Sequence, residues 1–131
     1  MIALLRARLP FVVAGAAVLA FVACDSSQPK PAAGGGPVPA EVQAGAAKFK
    51  ANCSACHGPN GDGTQQGPPL VHKIYEPNHH GDQAFQRAAA FGVKAHHWEF
   101  GNMPKIDGVT PEDVDHIIKY VRWLQQQAGI F

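Results

Sequence analysis

The residues best equipped for chemistry stand together in "KANCSACHGPNG", residues 50–61. Cys53 and Cys56 are three positions apart, and His57 follows directly. Two thiols and an imidazole in that order permit three chemistries. They can help hold a structural metal ion, cycle as a redox disulfide, or carry a large group covalently while the imidazole binds its metal. A structural zinc site takes four ligands, usually as two Cys or Cys/His pairs. The one other cysteine is Cys24, so no second pair exists. A redox Cys-x-x-Cys pair belongs at a strand-to-helix junction in an alternating β-α pattern, and the sequence around residues 53–56 shows none.

The third chemistry fits the order and the spacing. Cys-x-x-Cys-His is the attachment pattern of c-type haem. The two thiols add across the vinyl groups, and the next residue swings its ring under the macrocycle to ligate the iron. Such an iron has a second axial face, open to Met, to His or to neither. Apart from Met1, Met103 is the only methionine, 46 positions after His57. It lies in "FGNMPKIDG", a loop punctuated by Gly and Pro rather than an apolar periodic run. Pro104 stiffens the backbone that would present the sulfur. A methionine that merely packs is the competing reading, and His72, His79, His80, His96, His97 and His116 are competing ligands.

Helices must position these groups. From Glu41 to Ala51, Val42, Gly45, Ala46 and Phe49 recur on one face at spacings of three and four. A shorter helix is expected over about Asp82 to Val93. The last helix has a sharp start, with Thr110 as cap, Pro111 as first helical residue and Asp113 three after the cap. Val114, Ile117, Ile118, Val121 and Leu124 form its apolar stripe. Between Leu70 and Met103 stand two His-His pairs, His79-His80 and His96-His97. Paired loop histidines are expected to be solvated. A second, surface metal site or a docking patch is the sharper alternative. Trp98 and Phe100 are expected to wall the Met103 side of the cofactor.

The chain has room for one small domain, and a large bound cofactor would help so small a domain fold. Its 11 Lys+Arg against 10 Asp+Glu give no basic excess of the kind that nucleic-acid binding requires. In "MIALLRARLPFVVAGAAVLAFVAC", Arg6 and Arg8 precede an apolar run from Leu9 to Ala23. That is the form of an export signal, so residues 1–23 are expected to be a signal peptide. Cleavage after Ala20 and retention as an anchor are the alternatives. "FVAC" resembles the lipobox of bacterial lipoproteins, which implies acylation of Cys24 and tethering on the periplasmic side of a membrane. Residues 24–37, rich in Pro, Gly, Ser and Ala, read as a linker with a reach on the order of 20 Å. Removing Arg6 and Arg8 leaves 9 basic against 10 acidic residues. Export also takes Cys53 and Cys56 out of the reducing cytosol. The folded domain is then residues 38–131.

Taken together, "GAAKFKANCSACHGPNGDG", "GPPL", "GNMP" and "EDVDHIIKYVRWLQ" resemble a class I monohaem cytochrome c over about residues 38–127. The resemblance implies an all-α fold of three to four helices wrapped around one covalently bound haem c. It implies thioethers from Cys53 and Cys56, His57 as proximal ligand and Met103 as distal ligand. It also implies a proline carbonyl, that of Pro68 with Pro69 as neighbour, accepting the proximal imidazole N–H. The first and last helices should cross closely at Gly45, flanked by Phe49 and Tyr120. The implied role is electron carrier rather than enzyme, with redox proteins such as a dehydrogenase, an oxidase or another cytochrome as partners. Two further roles stay open: the electron-accepting subunit of an oxidoreductase complex, and a haem-based sensor.

Cys53→Ala or Cys56→Ala should reduce mature holoprotein, because haem attachment and folding are coupled in so small a core. Haem staining after a denaturing gel reads this directly. Full staining of the double variant would refute covalent attachment at these thiols.

Overall fold

The computed structural model describes residues 36–131, which fold as helices with connecting loops and no strand among them. The signal sequence, Cys24 and all but the last two residues of the Pro/Gly-rich segment lie outside the described residues. The elements in order are α1 (Ala40–Asn52), α2 (Ser54–His57), a 3-10 turn (Lys73–Tyr75), α3 (Asp82–Phe91) and α4 (Pro111–Gln127). Among the described residues, no helix is long and apolar enough to cross a membrane.

The core is the crossing of α1 and α4. Val42 and Phe49 from α1 pack with Ile117, Tyr120, Val121 and Leu124 from α4, and Leu70 closes the cluster. The Phe49 and Tyr120 rings meet at 5.5 Å between centroids, tilted by 58°. Gly45 makes the approach feasible. A Cβ placed on it would overlap the carbonyl oxygen of His116 and come within 2.9 Å of Tyr120 Cβ. The crossing is tied at the start of α4 as well. Thr110 and Asp113 form a capping box, each side chain bonding the other's backbone N–H. Asp113 also accepts from Lys48 of α1. The hydrogen bond from Lys48, aided by the Thr110 N–H, holds the Asp113 carboxyl below its ordinary range.

α4 also organises the loop between the 3-10 turn and α3. Gln125 sits on its apolar face, 1 % exposed, and is satisfied by donating to the carbonyls of Leu70 (2.8 Å) and Tyr75 (2.9 Å). Arg122 donates to the carbonyls of Tyr75 and His80, to Gln125 Oε1 and to Asp82 Oδ1. Its guanidinium also lies 4.9 Å from the Phe85 ring centroid.

α3 ends at Phe91, two residues before the end expected from sequence. Gly92 takes φ +77°, which stops the helix, and a Cβ there would meet the Met103 carbonyl oxygen at 2.6 Å. Val93 is thereby freed to pair with Met103 through N–H···O bonds of 2.9 and 3.0 Å, an isolated antiparallel bridge.

Gly45→Ala should force α1 from α4 and cost ~2 kcal/mol, as small-to-large changes in packed contacts do. For a domain of this size the melting midpoint should fall on the order of 10 °C. A midpoint within a degree or two of wild type would show that the crossing tolerates a methyl group.

Candidate functional site

α1 ends where its cysteines begin. The Cys53 N–H closes on the Phe49 carbonyl at 2.8 Å, and the chain restarts as the single turn of α2. That turn brings Cys53, Cys56 and His57 to one wall of a cavity of about 620 Å³, within the size range of cofactor pockets. Both cysteines are unpaired thiols. Burial, with the neighbouring Cys56 adding to it, pushes the Cys53 thiol up to about 11.

His57 is oriented by one hydrogen bond. Its Nδ1 lies 2.8 Å from the carbonyl oxygen of Pro68, and the acceptor is Pro68 rather than Pro69. A carbonyl can only accept, so Nδ1 carries the proton and Nε2 keeps its lone pair. Burial pulls the His57 pKa below its ordinary value, partly opposed by the Pro68 bond. A neutral imidazole with one nitrogen tied to backbone and the other free has the form of an oriented metal ligand. The residues after α2 hold this turn in place. The Gly63 N–H bonds the His57 carbonyl at 2.7 Å, and Thr64 Oγ1 bonds the Cys56 carbonyl at 2.6 Å.

Met103 lines the same cavity, half-buried and fixed at its backbone by the bridge to Val93. Phe100 and Trp98 line it too. The indole N–H of Trp98 is buried and makes no well-formed hydrogen bond among the described residues, although Tyr75 lies beside it. A buried donor left without an acceptor at a cavity wall suits a ligand that brings one. The cavity thus offers two thiols, an oriented imidazole, a thioether, apolar walls and a spare donor. That set fits a haem c, whose carboxylates would supply acceptors.

A family model of cytochrome c matches residues 42–125, nearly two thirds of the chain. The chain belongs to the cytochrome c family. Searches of curated proteins and of solved structures give no match. This cytochrome c therefore binds haem c covalently, one haem for its single domain, and works in haem-based electron transfer. The all-α fold expected from sequence is the fold found.

Five residues singled out in the sequence, Cys53, Cys56, His57, Pro68 and Met103, meet at this one cavity. Cys24 lies outside the described residues. Sequence reasoning missed Arg122 and Gln125, which hold the backbone on the Tyr75–His80 side. Gln125 did carry a signal, being a polar residue four positions after Val121 on an otherwise apolar stripe. Arg122 carried none. The two His-His pairs, read as solvated loop residues, converge. His79, His80, His96 and His97 all border the cavity, and three of the four are exposed, which puts them at its mouth.

Proposed function

We propose that this cytochrome c is a class I monohaem electron carrier of bacterial type, exported to the periplasm and tethered to the membrane through acylated Cys24, with His57 and Met103 as the axial ligands of its iron. The observation that carries the ligand assignment is the pairing of two backbone-fixed donors on one cavity. His57 is held by the Pro68 carbonyl with Nε2 free, and Met103 is held by its bridge to Val93.

Haem supplies the one-electron chemistry when bound, and a His/Met ligand pair raises its potential relative to two histidines. The chain's own residues do the rest. Cys53 and Cys56 would hold the group covalently through thioethers. The Pro68 carbonyl orients His57 and raises its basicity as a ligand. Pro104 and the Val93 bridge fix the backbone of Met103, the residue whose thioether would meet the iron. Phe100, Trp98 and the α4 residues Val114 and Ile117 give the cavity apolar walls that exclude water. The tether reading rests on the sequence before residue 36. Arg6 and Arg8, the apolar run and the Cys24 context favour lipoprotein processing, and the linker is long enough to lift the domain clear of headgroups.

Replacing Met103 with Ala should abolish the weak thioether-to-iron band at the red end of the oxidised spectrum and lower the potential, while Met103→His should retain six-coordination at a lower potential. The reduced wild type should show a strongly upfield-shifted methionine methyl resonance. Absence of that resonance, with a spectrum that responds instead to His96 or His97 substitution, would overturn the His/Met assignment.

Labelled palmitate should enter the wild type and not Cys24→Ser, and only the wild type should sediment with membranes. An unlabelled wild type in the soluble periplasmic fraction would refute the anchor and leave export standing.

A further inference from the structure

At the mouth of the haem cavity, the molecule gathers four imidazoles from two separate segments. His79 and His80 end the turn after the 3-10 helix, and His96 and His97 lie in the loop between Val93 and Met103. Their rings approach closely, with centroids 5.2 Å apart for His79 and His97, 5.1 Å for His80 and His97, and 4.4 Å for His96 and His97. Packing does not compel this, since His79, His96 and His97 are exposed and have room to separate.

We propose that His79, His80 and His97 form a second, non-haem metal site that binds one zinc ion in tetrahedral geometry at the mouth of the cavity. Their ligating atoms all lie within 4.8 Å of one another. His79 Nε2 and His97 Nε2 are 3.3 Å apart. Zinc binds imidazole nitrogen at about 2.0–2.1 Å, so two nitrogens on a tetrahedral ion stand roughly 3.3–3.4 Å apart. Adjacent ligands of a square-planar ion at the same bond length would stand at about 2.8–3.0 Å. The observed pair, which is also within hydrogen-bond distance, is compatible with the tetrahedral edge. His80 is prepared in the way metal-bound histidines usually are. Its Nδ1 donates to the Ile74 carbonyl at 2.6 Å, which fixes the ring and leaves Nε2 to ligate. His96 has its own Nδ1 at 2.9 Å from the Lys94 carbonyl and packs beside His97 outside the three-ligand group, so water completes the shell. Uncharged imidazoles suit zinc, and no thiol is needed.

The site does not depend on the His/Met assignment. Its physical consequence is a cross-link between the turn that Arg122 and Gln125 hold and the loop that leads into Met103. Metal binding would stiffen the opening through which the cofactor edge meets solvent and partners.

The test uses untagged holoprotein titrated with zinc chloride by calorimetry, with metal analysis after gel filtration. One zinc per haem is expected. His79→Ala and His97→Ala should each weaken binding at least about tenfold, the lower end of the loss seen when only a supporting partner of a ligand is removed. The double variant should retain no zinc. X-ray absorption at the zinc edge should show four light neighbours at about 2.0–2.1 Å. The visible haem spectrum should be the same in every variant, which also shows that each is folded. Failure of the wild type to bind, undiminished binding by the double variant, or a six-coordinate shell would each overturn the proposal. A haem spectrum that changes with His97 would overturn it too, by assigning the cluster to the haem iron.

Discussion

Two helices can approach only as closely as the side chains between them allow, and at Gly45 there is none. The α1 backbone there lies against the His116 carbonyl, closer than any other residue type could bring it. Much of the rest follows from that contact. It sets the depth at which Phe49 enters the α4 stripe, where it is fully buried against Tyr120. Because α1 hands directly on to Cys53 and α2, it also sets where the two thiols and His57 stand relative to α4. A helix pair displaced at Gly45 would carry the attachment residues away from the opposite wall of the cavity.

The same crossing leaves the domain short of core. The buried apolar cluster is confined to one side of α4, whereas Val114 and Ile117 also face a large cavity lined mostly by carbon. A chain of this size gains little from burying its own surface alone. A haem bound there would supply the missing apolar volume, and its covalent attachment would keep it from leaving. Polar contacts hold the far wall. Arg122 and Gln125 make four hydrogen bonds from α4 to three carbonyls, those of Leu70, Tyr75 and His80, so a segment with no regular structure of its own beyond one 3-10 turn is tied to the longest helix.

What the sequence disclosed depended on how local the cause was. That Cys53, Cys56 and His57 share one cavity wall was legible because they stand within five consecutive residues. The start of α4 was legible because Thr110, Pro111 and Asp113 interact within four residues. Gly45 was legible as a small residue on an apolar face. Met103 stood out by its isolation, but what holds it did not. The end of α3 at Phe91 and the Val93 bridge both stem from Gly92, whose positive φ and tight approach to the Met103 carbonyl are properties of a contact eleven residues away. The convergence of the histidines was least legible. His79 and His97 are 18 residues apart in loops, and neither periodicity nor capping predicts which loops fold together.

The loop from Val93 to Met103 therefore serves two ends at once. Its base is closed by the Val93–Met103 bridge and stiffened by Pro104, so the backbone at 103 is fixed by hydrogen bonds of its own. Its tip has less support. The described contacts there are Asn102 Oδ1 accepting from the Ala95 N–H, His96 on the Lys94 carbonyl, and the imidazole cluster. Two of those act within the loop; the imidazoles reach across to the Tyr75–His80 turn, and so does Trp98, whose ring packs on His72 and lies beside Tyr75. A tip joined to the far wall by ring contacts of this kind is held more firmly when something bridges the imidazoles than when nothing does. The base needs no such bridge. The position of the Met103 backbone is thereby separated from the stiffness of the cavity mouth, and one can vary without the other.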